Sequence, residues 1–125
     1  MRKIKINIAD DQNDLAVLIK NYLERDEEFI VLNISNDGSE ALKNLEIYKP
    51  DILILDLSMP IGDGFYVLDK VKECFNEIKI IVFSGHSFEL YGNNALSRGA
   101  DLYLEKGTSL TLLKEHIKEV ANGGF

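Results

Sequence analysis

Five short apolar segments alternate with five segments of helical periodicity along the chain. The apolar segments are rich in Ile, Val and Leu and rarely alternate with polar residues, which is typical of strands buried on both faces. They predict strands at 4–9, 29–34, 52–55, 78–83 and 102–104. Because strand and helix alternate strictly, we expect right-handed crossovers and an α/β fold, a doubly wound five-stranded parallel sheet with helices on both faces.

Apolar stripes and capping residues predict the helices between these strands. The first stripe runs from Leu15 to Leu23 at positions i, i+3, i+4, i+7 and i+8, and the last runs from Leu110 to Val120. The candidate N-caps are Asp11, Asp37, Asp63 and either Thr108 or Ser109, and the candidate helix ends are Gly99 and Gly123. The segment 88–98 is the weakest helix, because Gly92-Asn93-Asn94 has low helix propensity.

Charge and composition exclude several classes of protein. The 125 residues suit one compact domain, and 46% hydrophobic residues are too many for a disordered chain. The net charge of −7 argues against direct binding to nucleic acid or an acidic membrane surface. A lone Cys74 excludes an internal disulfide and a cysteine-based zinc cluster. Without a signal peptide or a membrane-spanning apolar run, we expect a soluble, cytoplasmic protein.

Side chains with chemical potential follow the predicted strands at one edge of the sheet. Asp10 and Asp11 follow the first strand, Asp56 follows the third, Ser84 follows the fourth and Lys106 follows the fifth. In the flavodoxin-like strand order 2-1-3-4-5, the order reverses between strands one and three, where ligands bind. The three aspartates are therefore expected to share one pocket.

Three neighbouring carboxylates cannot all stay ionised without a counter-charge, since each raises the pKa of the others. Mg²⁺ (or Mn²⁺) is the economical solution, because it binds carboxylates together with water and phosphate. Lys106 adds a positive charge for an anion, and Ser84 adds a hydroxyl donor. The pattern predicts a phosphate site built around an acidic group.

These motifs resemble the receiver domain of two-component response regulators over residues 3 to 121. The matching elements are Asp10-Asp11, Asp56 with Met59-Pro60 and Asp63-Gly64, Ser84, and Lys106. The chain also resembles the NarL/LuxR-type branch of this family. Gly107 follows Lys106, where many receivers have proline, and the other similar segments are Leu57-Ser58-Met59-Pro60, 98–104 and 120–125. Members of that branch continue into a helix-turn-helix DNA-binding domain. The expectation is therefore a single receiver domain, residues 1–125, forming the N-terminal part of a longer transcriptional regulator.

The resemblance implies a role for each residue of the predicted pocket. Asp56 would be the phosphoacceptor, and Lys106 would pair with Asp56 before the reaction and with the phosphoryl group after it. Asp11, Asp56 and the backbone carbonyl of Ser58 would bind Mg²⁺, with Asp10 acting through water or partly directly. An aspartyl phosphate formed in this way is an established covalent route.

A second group of residues would respond to the phosphoryl group. By resemblance, Ser84 would donate a hydrogen bond to a phosphoryl oxygen, and the rotamer of Tyr103 would follow. Ser58 lies two residues after Asp56 and His86 two after Ser84, so both should border the phosphoryl group and tune the dephosphorylation rate. We expect His86 to screen or orient the attacking water. The weak helix 88–98 is the predicted moving part.

The resemblance implies Mg²⁺-dependent phosphoryl transfer from a phosphohistidine, with a sensor histidine kinase or phosphotransfer protein as partner. It implies no turnover enzyme, allows a homodimer on phosphorylation, involves no membrane, and assigns DNA binding to a C-terminal effector domain outside this chain. The alternative is a stand-alone or phosphate-independent receiver that acts as a protein–protein interaction module.

Two other families with a similar fold fit the residues less well. A phosphatase of haloacid dehalogenase type needs an acid two residues after its nucleophile, where this chain has Ser58. A flavin binder needs an uncharged, hydroxyl-rich phosphate loop, whereas Asp10-Asp11 would repel the flavin phosphate.

Overall fold

The computed structural model describes residues 2–59 and 63–123, and its strands form a single parallel sheet. The strands are β1 (Ile4–Ala9), β2 (Phe29–Ser35), β3 (Ile52–Leu55), β4 (Lys79–Ser84) and β5 (Leu102–Glu105). Their order is β2-β1-β3-β4-β5, and every neighbouring pair is parallel. The predicted strands and their order are confirmed, with boundaries that differ by one residue at most.

Five helices connect the strands. They are α1 (Asn13–Leu23), α2 (Gly38–Tyr48), α3 (Gly64–Cys74), α4 (Phe88–Ser97) and α5 (Leu110–Ala121). Asp37, Asp63 and Ser109 cap α2, α3 and α5, since each side chain accepts a hydrogen bond from a backbone N–H of the first turn. Gly99 and Gly123 follow α4 and α5 with positive φ angles of 115° and 76°, as expected for helix ends.

The prediction that Asp11 caps α1 is wrong. The cap position belongs to Gln12, whose side chain makes no capping hydrogen bond. Helix α1 therefore begins one residue later than predicted, and in the turn before it Oδ1 of Asp10 accepts the Gln12 N–H at 2.8 Å. This turn leaves the Asp11 carboxylate exposed beside Asp10 instead of occupied by a helix terminus.

Two hydrophobic cores lie on opposite faces of the sheet, so the strands are buried on both sides. In β3, Leu53 and Leu55 pack with α2, α3 and α4, whereas Ile52 and Ile54 pack with α1 and α5. This double burial explains why the strands show continuous apolar runs rather than alternation. Among the described residues, no helix combines the length and the apolar character needed to cross a membrane.

A buried polar cluster attaches α2 to the sheet close to Asp10. The Asn44 side-chain amide donates to Oδ1 of Asn33 at 2.7 Å and to Oγ of Ser35 at 2.9 Å. The amide of Asn7 in β1 donates to the Asn44 carbonyl at 3.4 Å. Ser35 accepts the backbone N–H of Asp10 through its carbonyl at 2.9 Å. The cluster therefore fixes the end of β2 against the first residue after β1.

Candidate functional site

Asp10, Asp11 and Asp56 meet at the carboxyl end of the sheet, where β1 and β3 lie side by side. One carboxylate oxygen from each lies within 4.8 Å of the others. Asp10 and Asp56 are 3% and 4% exposed, and Asp11 is open to solvent. The Asp56 N–H donates to the carbonyl of Ala9 at 2.8 Å, which extends the β1–β3 pairing by one residue. The sheet itself thus holds two of the three acids in place.

Burial raises the pKa of the Asp56 carboxyl above its ordinary value, and repulsion from Asp10 raises it further. The backbone N–H of Ser58, 3.2 Å from Oδ1 of Asp56, and the Lys106 ammonium group act in the opposite direction. Two buried acids with one nearby lysine leave negative charge uncompensated, so this arrangement favours a bound cation.

The donor set fits Mg²⁺. All three side chains offer carboxylate oxygens, which are the hard ligands that Mg²⁺ prefers, and the exposure of Asp11 leaves room for the waters that the ion retains. Ser58 lies beside them, since its N–H contacts Asp56. The residues present could therefore hold the ion that the sequence predicts.

Lys106 reaches the acids from the loop after β5. Its Nζ lies 2.9 Å from Oδ2 of Asp10 and 3.6 Å from Oδ2 of Asp56. The ion pair with Asp56 is present as expected, but Asp10 is the nearer partner. The Lys106 N–H donates to the Ser84 carbonyl at 2.7 Å, which ties this loop to the end of β4.

Gln12 is a site residue that sequence reasoning missed. Its Oε1 accepts a hydrogen bond from Lys106 Nζ at 2.7 Å, across 94 positions of sequence. A neutral glutamine after an acidic pair carries no distinguishing sequence signal, because only the fold brings it to the lysine. Gln12 thus helps to aim the ammonium group.

An open cavity of about 430 Å³ adjoins the acids. It is lined by Asp11, Gln12, Asp56, Ser58, Gly85, His86 and Lys106. A small anionic group can enter this cavity and meet a carboxylate, an ammonium group and polar side chains at once. Ser58 and His86 thus both lie beside Asp56 at this cavity, as predicted.

Ser58 and His86 also bind each other across the cavity. Oγ of Ser58 lies 2.7 Å from Nε2 of His86, which joins the loop after β3 to the loop after β4. The imidazole packs edge to face against Tyr91 of α4, with ring centroids 4.8 Å apart. Neither contact could be predicted from sequence spacing.

The two residues predicted to respond to phosphate, Ser84 and Tyr103, both contact the backbone of His86. Ser84 is fully buried, and its Oγ accepts the His86 N–H at 3.0 Å. Tyr103 is 7% exposed, and its hydroxyl donates to the His86 carbonyl at 2.8 Å. Burial raises the pKa of Tyr103, which keeps the hydroxyl protonated and able to donate.

The remaining motif residues have structural roles. Met59 is buried, Asp63 caps α3, and Gly64 lies so close to the loop after β3 that a Cβ there would be 2.6 Å from the Asp56 carbonyl oxygen. Pro60 of the predicted motif, and residues 124–125 at the end of the chain, lie outside the described residues.

Comparison with known proteins identifies the family of this fold and acidic site. Residues 6–118 match the model of the response regulator receiver domain. The chain belongs to this family. It is 34% identical over 122 residues to the transcriptional regulatory protein DegU of Brevibacillus brevis, covering 98% of this chain and 52% of DegU. The receiver chain thus spans about half the length of that relative.

Solved structures give the same result. A DNA-binding response regulator of the LuxR family from Staphylococcus aureus has a TM-score of 0.89 and 30% identity, covering 94% of this chain and 98% of that one. The receiver domain of NarL from Mycobacterium tuberculosis has a TM-score of 0.93 at 24% identity, covering 98% and 99%, which supports the fold. The predicted resemblance to receivers of the NarL/LuxR-type branch is confirmed.

Proposed function

We propose that Asp56 accepts a phosphoryl group from the phosphohistidine of a sensor histidine kinase or phosphotransfer protein, and that the aspartyl phosphate switches an output surface. The observation that carries this proposal is the cluster of Asp10, Asp11 and Asp56 within 4.8 Å, paired with Lys106 at the wall of an open cavity. Phosphoryl transfer needs little more than positioning and charge neutralisation, and this site offers both.

In the transfer step, a carboxylate oxygen of Asp56 attacks phosphorus while the bond from phosphorus to the donor imidazole nitrogen breaks. The nitrogen leaves with the electron pair and takes up a proton. Lys106 offers its ammonium group to the transferred oxygens, and Gln12 steadies that group. Mg²⁺, held by Asp10, Asp11, Asp56 and the Ser58 backbone carbonyl, would neutralise charge on the phosphoryl oxygens.

After transfer, Ser84 and Tyr103 carry the response. The Ser84 oxygen accepts the His86 N–H, and its own hydroxyl proton can be donated to a phosphoryl oxygen. Tyr103 is bound to the same residue through the His86 carbonyl, so its side chain follows a shift of this loop. The added charge of about −1.5 to −2 is large enough to bias such a switch.

Loss of the phosphoryl group is tuned by Ser58 and His86. Both line the open cavity beside Asp56, and His86 screens or orients water that enters it. The domain thereby catalyses its own phosphorylation and dephosphorylation without turning over a substrate. A His86→Ala change is expected to alter the rate at which the phosphorylated chain loses its adduct, and an unchanged rate would exclude this role.

The output of this cytoplasmic switch is control of transcription through an effector domain outside residues 1–125, with phosphorylation-dependent homodimerisation as an accompanying step. DegU is a transcriptional regulatory protein, and the Staphylococcus aureus relative is a DNA-binding response regulator. The net charge of −7 supports DNA contact by a different domain.

Intact-mass spectrometry tests the phosphoacceptor role. The chain is incubated with acetyl phosphate, with and without Mg²⁺, beside Asp56→Asn and a matched control, Asp69→Asn in α3. We expect one phosphoryl adduct that requires Mg²⁺, persists in the control and is absent from Asp56→Asn. No adduct, together with no binding of beryllofluoride, would instead favour a phosphate-independent interaction module.

A further inference from the structure

His86 is the meeting point of four contacts from different parts of the molecule. Its backbone N–H donates to Oγ of Ser84 at 3.0 Å, and its carbonyl accepts the Tyr103 hydroxyl at 2.8 Å. Its Nε2 lies 2.7 Å from Oγ of Ser58, and its ring packs perpendicular to that of Tyr91. One residue therefore contacts the loop after β3, strands β4 and β5, and helix α4.

Helix α4 is also held near the site by Phe88, whose N–H donates to a Glu105 carboxylate oxygen at 2.9 Å and whose ring packs edge to face against Tyr103 at 5.7 Å. Its buried residues are the small Gly92 and Ala95, and its N-cap Ser87 makes no side-chain capping hydrogen bond. Tyr91 packs against the core and contacts Phe65 of α3 edge to face at 5.6 Å. A change at the His86–Tyr91 contact therefore acts on a helix whose own buried residues are small.

We propose that His86 is a positioning residue that transmits the occupancy of Asp56 to α4 through Tyr91. This inference rests on the proposed function, because it needs a phosphoryl group on Asp56. The phosphoryl oxygens accept hydrogen bonds at the cavity wall where Ser58 and His86 now bind each other. They compete for those donors and break the Ser58–His86 bond.

The backbone of His86 links this event to the switch residues. When Ser84 turns toward the phosphoryl group, the N–H of His86 follows its acceptor. The imidazole then loses its hydrogen bond to Ser58 and its edge-to-face contact with Tyr91. Since an aromatic pair of this geometry contributes modestly to stability, local opening of α4 should become roughly two- to tenfold more frequent.

Hydrogen exchange of the α4 amides, with and without Mg²⁺ and beryllofluoride as phosphoryl mimic, tests the proposal. Wild-type α4 should exchange roughly two- to tenfold faster when loaded. Tyr91→Leu removes the aromatic contact, so α4 should exchange at the loaded rate throughout and stop responding. Tyr91→Phe keeps the ring and should restore the response. Phe65→Leu removes the other partner of Tyr91 and should still respond.

Ser58→Ala gives a second, smaller change that leaves α4 itself intact. It removes the hydroxyl partner of His86 but keeps the Tyr91 contact, so α4 of the unloaded variant should exchange at a rate between those of unloaded and loaded wild type. The proposal is overturned if loaded wild-type α4 exchanges no faster, if Tyr91→Leu responds as the wild type does, or if Phe65→Leu loses the response equally.

The acetyl phosphate adduct, measured on the same samples, separates this inference from the proposed function. A wild-type chain that forms no adduct contradicts the phosphoacceptor role itself. An adduct that forms normally, with an α4 response indifferent to Tyr91 and Ser58, contradicts the role of His86 alone.

Discussion

Helices α4 and α5 are similar in length, at ten and twelve residues, but differ in how much of each is packed against the sheet. Helix α5 buries Leu113, Ile117 and Val120, whereas α4 buries Gly92 and Ala95. Large aliphatic side chains bury several times more apolar area than an alanine or a glycine. The difference indicates that α4 is the helix more easily displaced when the charge of the site changes.

Polar contacts strengthen the same contrast. Lys114 and Lys118 of α5 lie 3.5 and 3.6 Å from one carboxylate oxygen of Asp26, in the loop before β2. Helix α4 is flanked by one such pair, between Arg98, which follows it, and Asp69 of α3. Helix α5 is thus tied by two lysines to the loop before β2, whereas α4 is tied to α3 through Arg98 and to β5 through the Phe88 N–H and Glu105.

Truncation in the two helices should have very different effects. Ile117→Ala in the core should lower the free energy of unfolding by about 2–5 kcal/mol, because it leaves a cavity. Leu90→Ala in α4, where Leu90 is 62% exposed, should cost less than about 0.5 kcal/mol. Urea denaturation measures both values. Similar losses would contradict the difference in burial between these two side chains.

Alanine substitutions at Gly64, beside the loop after β3, and at Gly92, in α4, compare how tightly these two regions are packed. A Cβ at Gly64 would lie 2.3 Å from Cα of Leu57, which is backbone, so Gly64→Ala should cost about 1–3 kcal/mol and slow phosphorylation by displacing Asp56. A Cβ at Gly92 would meet the ring of Phe88, which is 40% exposed and can turn away.

For Gly92→Ala, the gain in helix propensity of up to about 1 kcal/mol offsets the rearrangement of that ring. We therefore expect a net stability change smaller than that of Gly64→Ala, with normal adduct formation. Thermal denaturation and adduct rates measure both quantities. A Gly64→Ala variant that forms the adduct as fast as Gly92→Ala and is equally stable would contradict the tight packing described beside the loop after β3.

Metal binding should stabilise the acidic edge of the sheet. At ten times its dissociation constant, Mg²⁺ should raise the free energy of unfolding by about 1.4 kcal/mol, and a chelator should reverse the gain. Asp11→Asn should lose most of this increment. Without metal, Asp56→Asn should unfold at a higher temperature than wild type, since it removes one of the repelling carboxylates. Mg²⁺ stabilisation unaffected by Asp11→Asn would place the ion elsewhere.

The smallest effect concerns the ion pair beside α4. Hydrogen bonds from Arg98 lower the pKa of Asp69 below its ordinary value, outweighing the opposite effect of burial. A lowered pKa means that the pair stabilises the fold above the unfolded-state pKa and that this contribution is lost as pH falls through the folded-state value. Since both side chains are partly exposed, the contribution should stay below about 1 kcal/mol.

A double-mutant cycle of Asp69→Asn and Arg98→Gln measures this coupling. The interaction free energy between the two side chains should stabilise the fold at neutral pH and vanish in acid, after Asp69 has been protonated. A coupling that persists in acid would contradict the assignment of this contribution to the charge of Asp69.

The sequence predicts those features that depend on local periodicity and on rules of sheet topology. The strands follow from apolar runs, the strand order places Asp10, Asp11 and Asp56 together, and caps such as Asp37 follow from short-range hydrogen bonding. These signals lie within a few residues of the features they predict, or in connection rules common to parallel sheets.

Contacts between distant side chains could not be predicted in the same way. The preference of Lys106 for Asp10, its bond to Gln12, and the Ser58–His86 bridge depend on side-chain geometry across loops. The prediction of Asp11 as a cap is wrong for a related reason. Either of two adjacent aspartates could accept a backbone N–H in this turn, and in the structure the Gln12 N–H donates to Asp10.

The central claim is that Asp56, among three neighbouring carboxylates, receives the phosphoryl group. Borohydride reduces an acyl phosphate to an alcohol, so treatment of the phosphorylated chain converts the modified aspartate into homoserine, which tandem mass spectrometry locates in a peptide. We expect homoserine at position 56 alone, dependent on Mg²⁺ and absent without acetyl phosphate. Homoserine at position 10 or 11 instead would contradict the assignment of the acceptor.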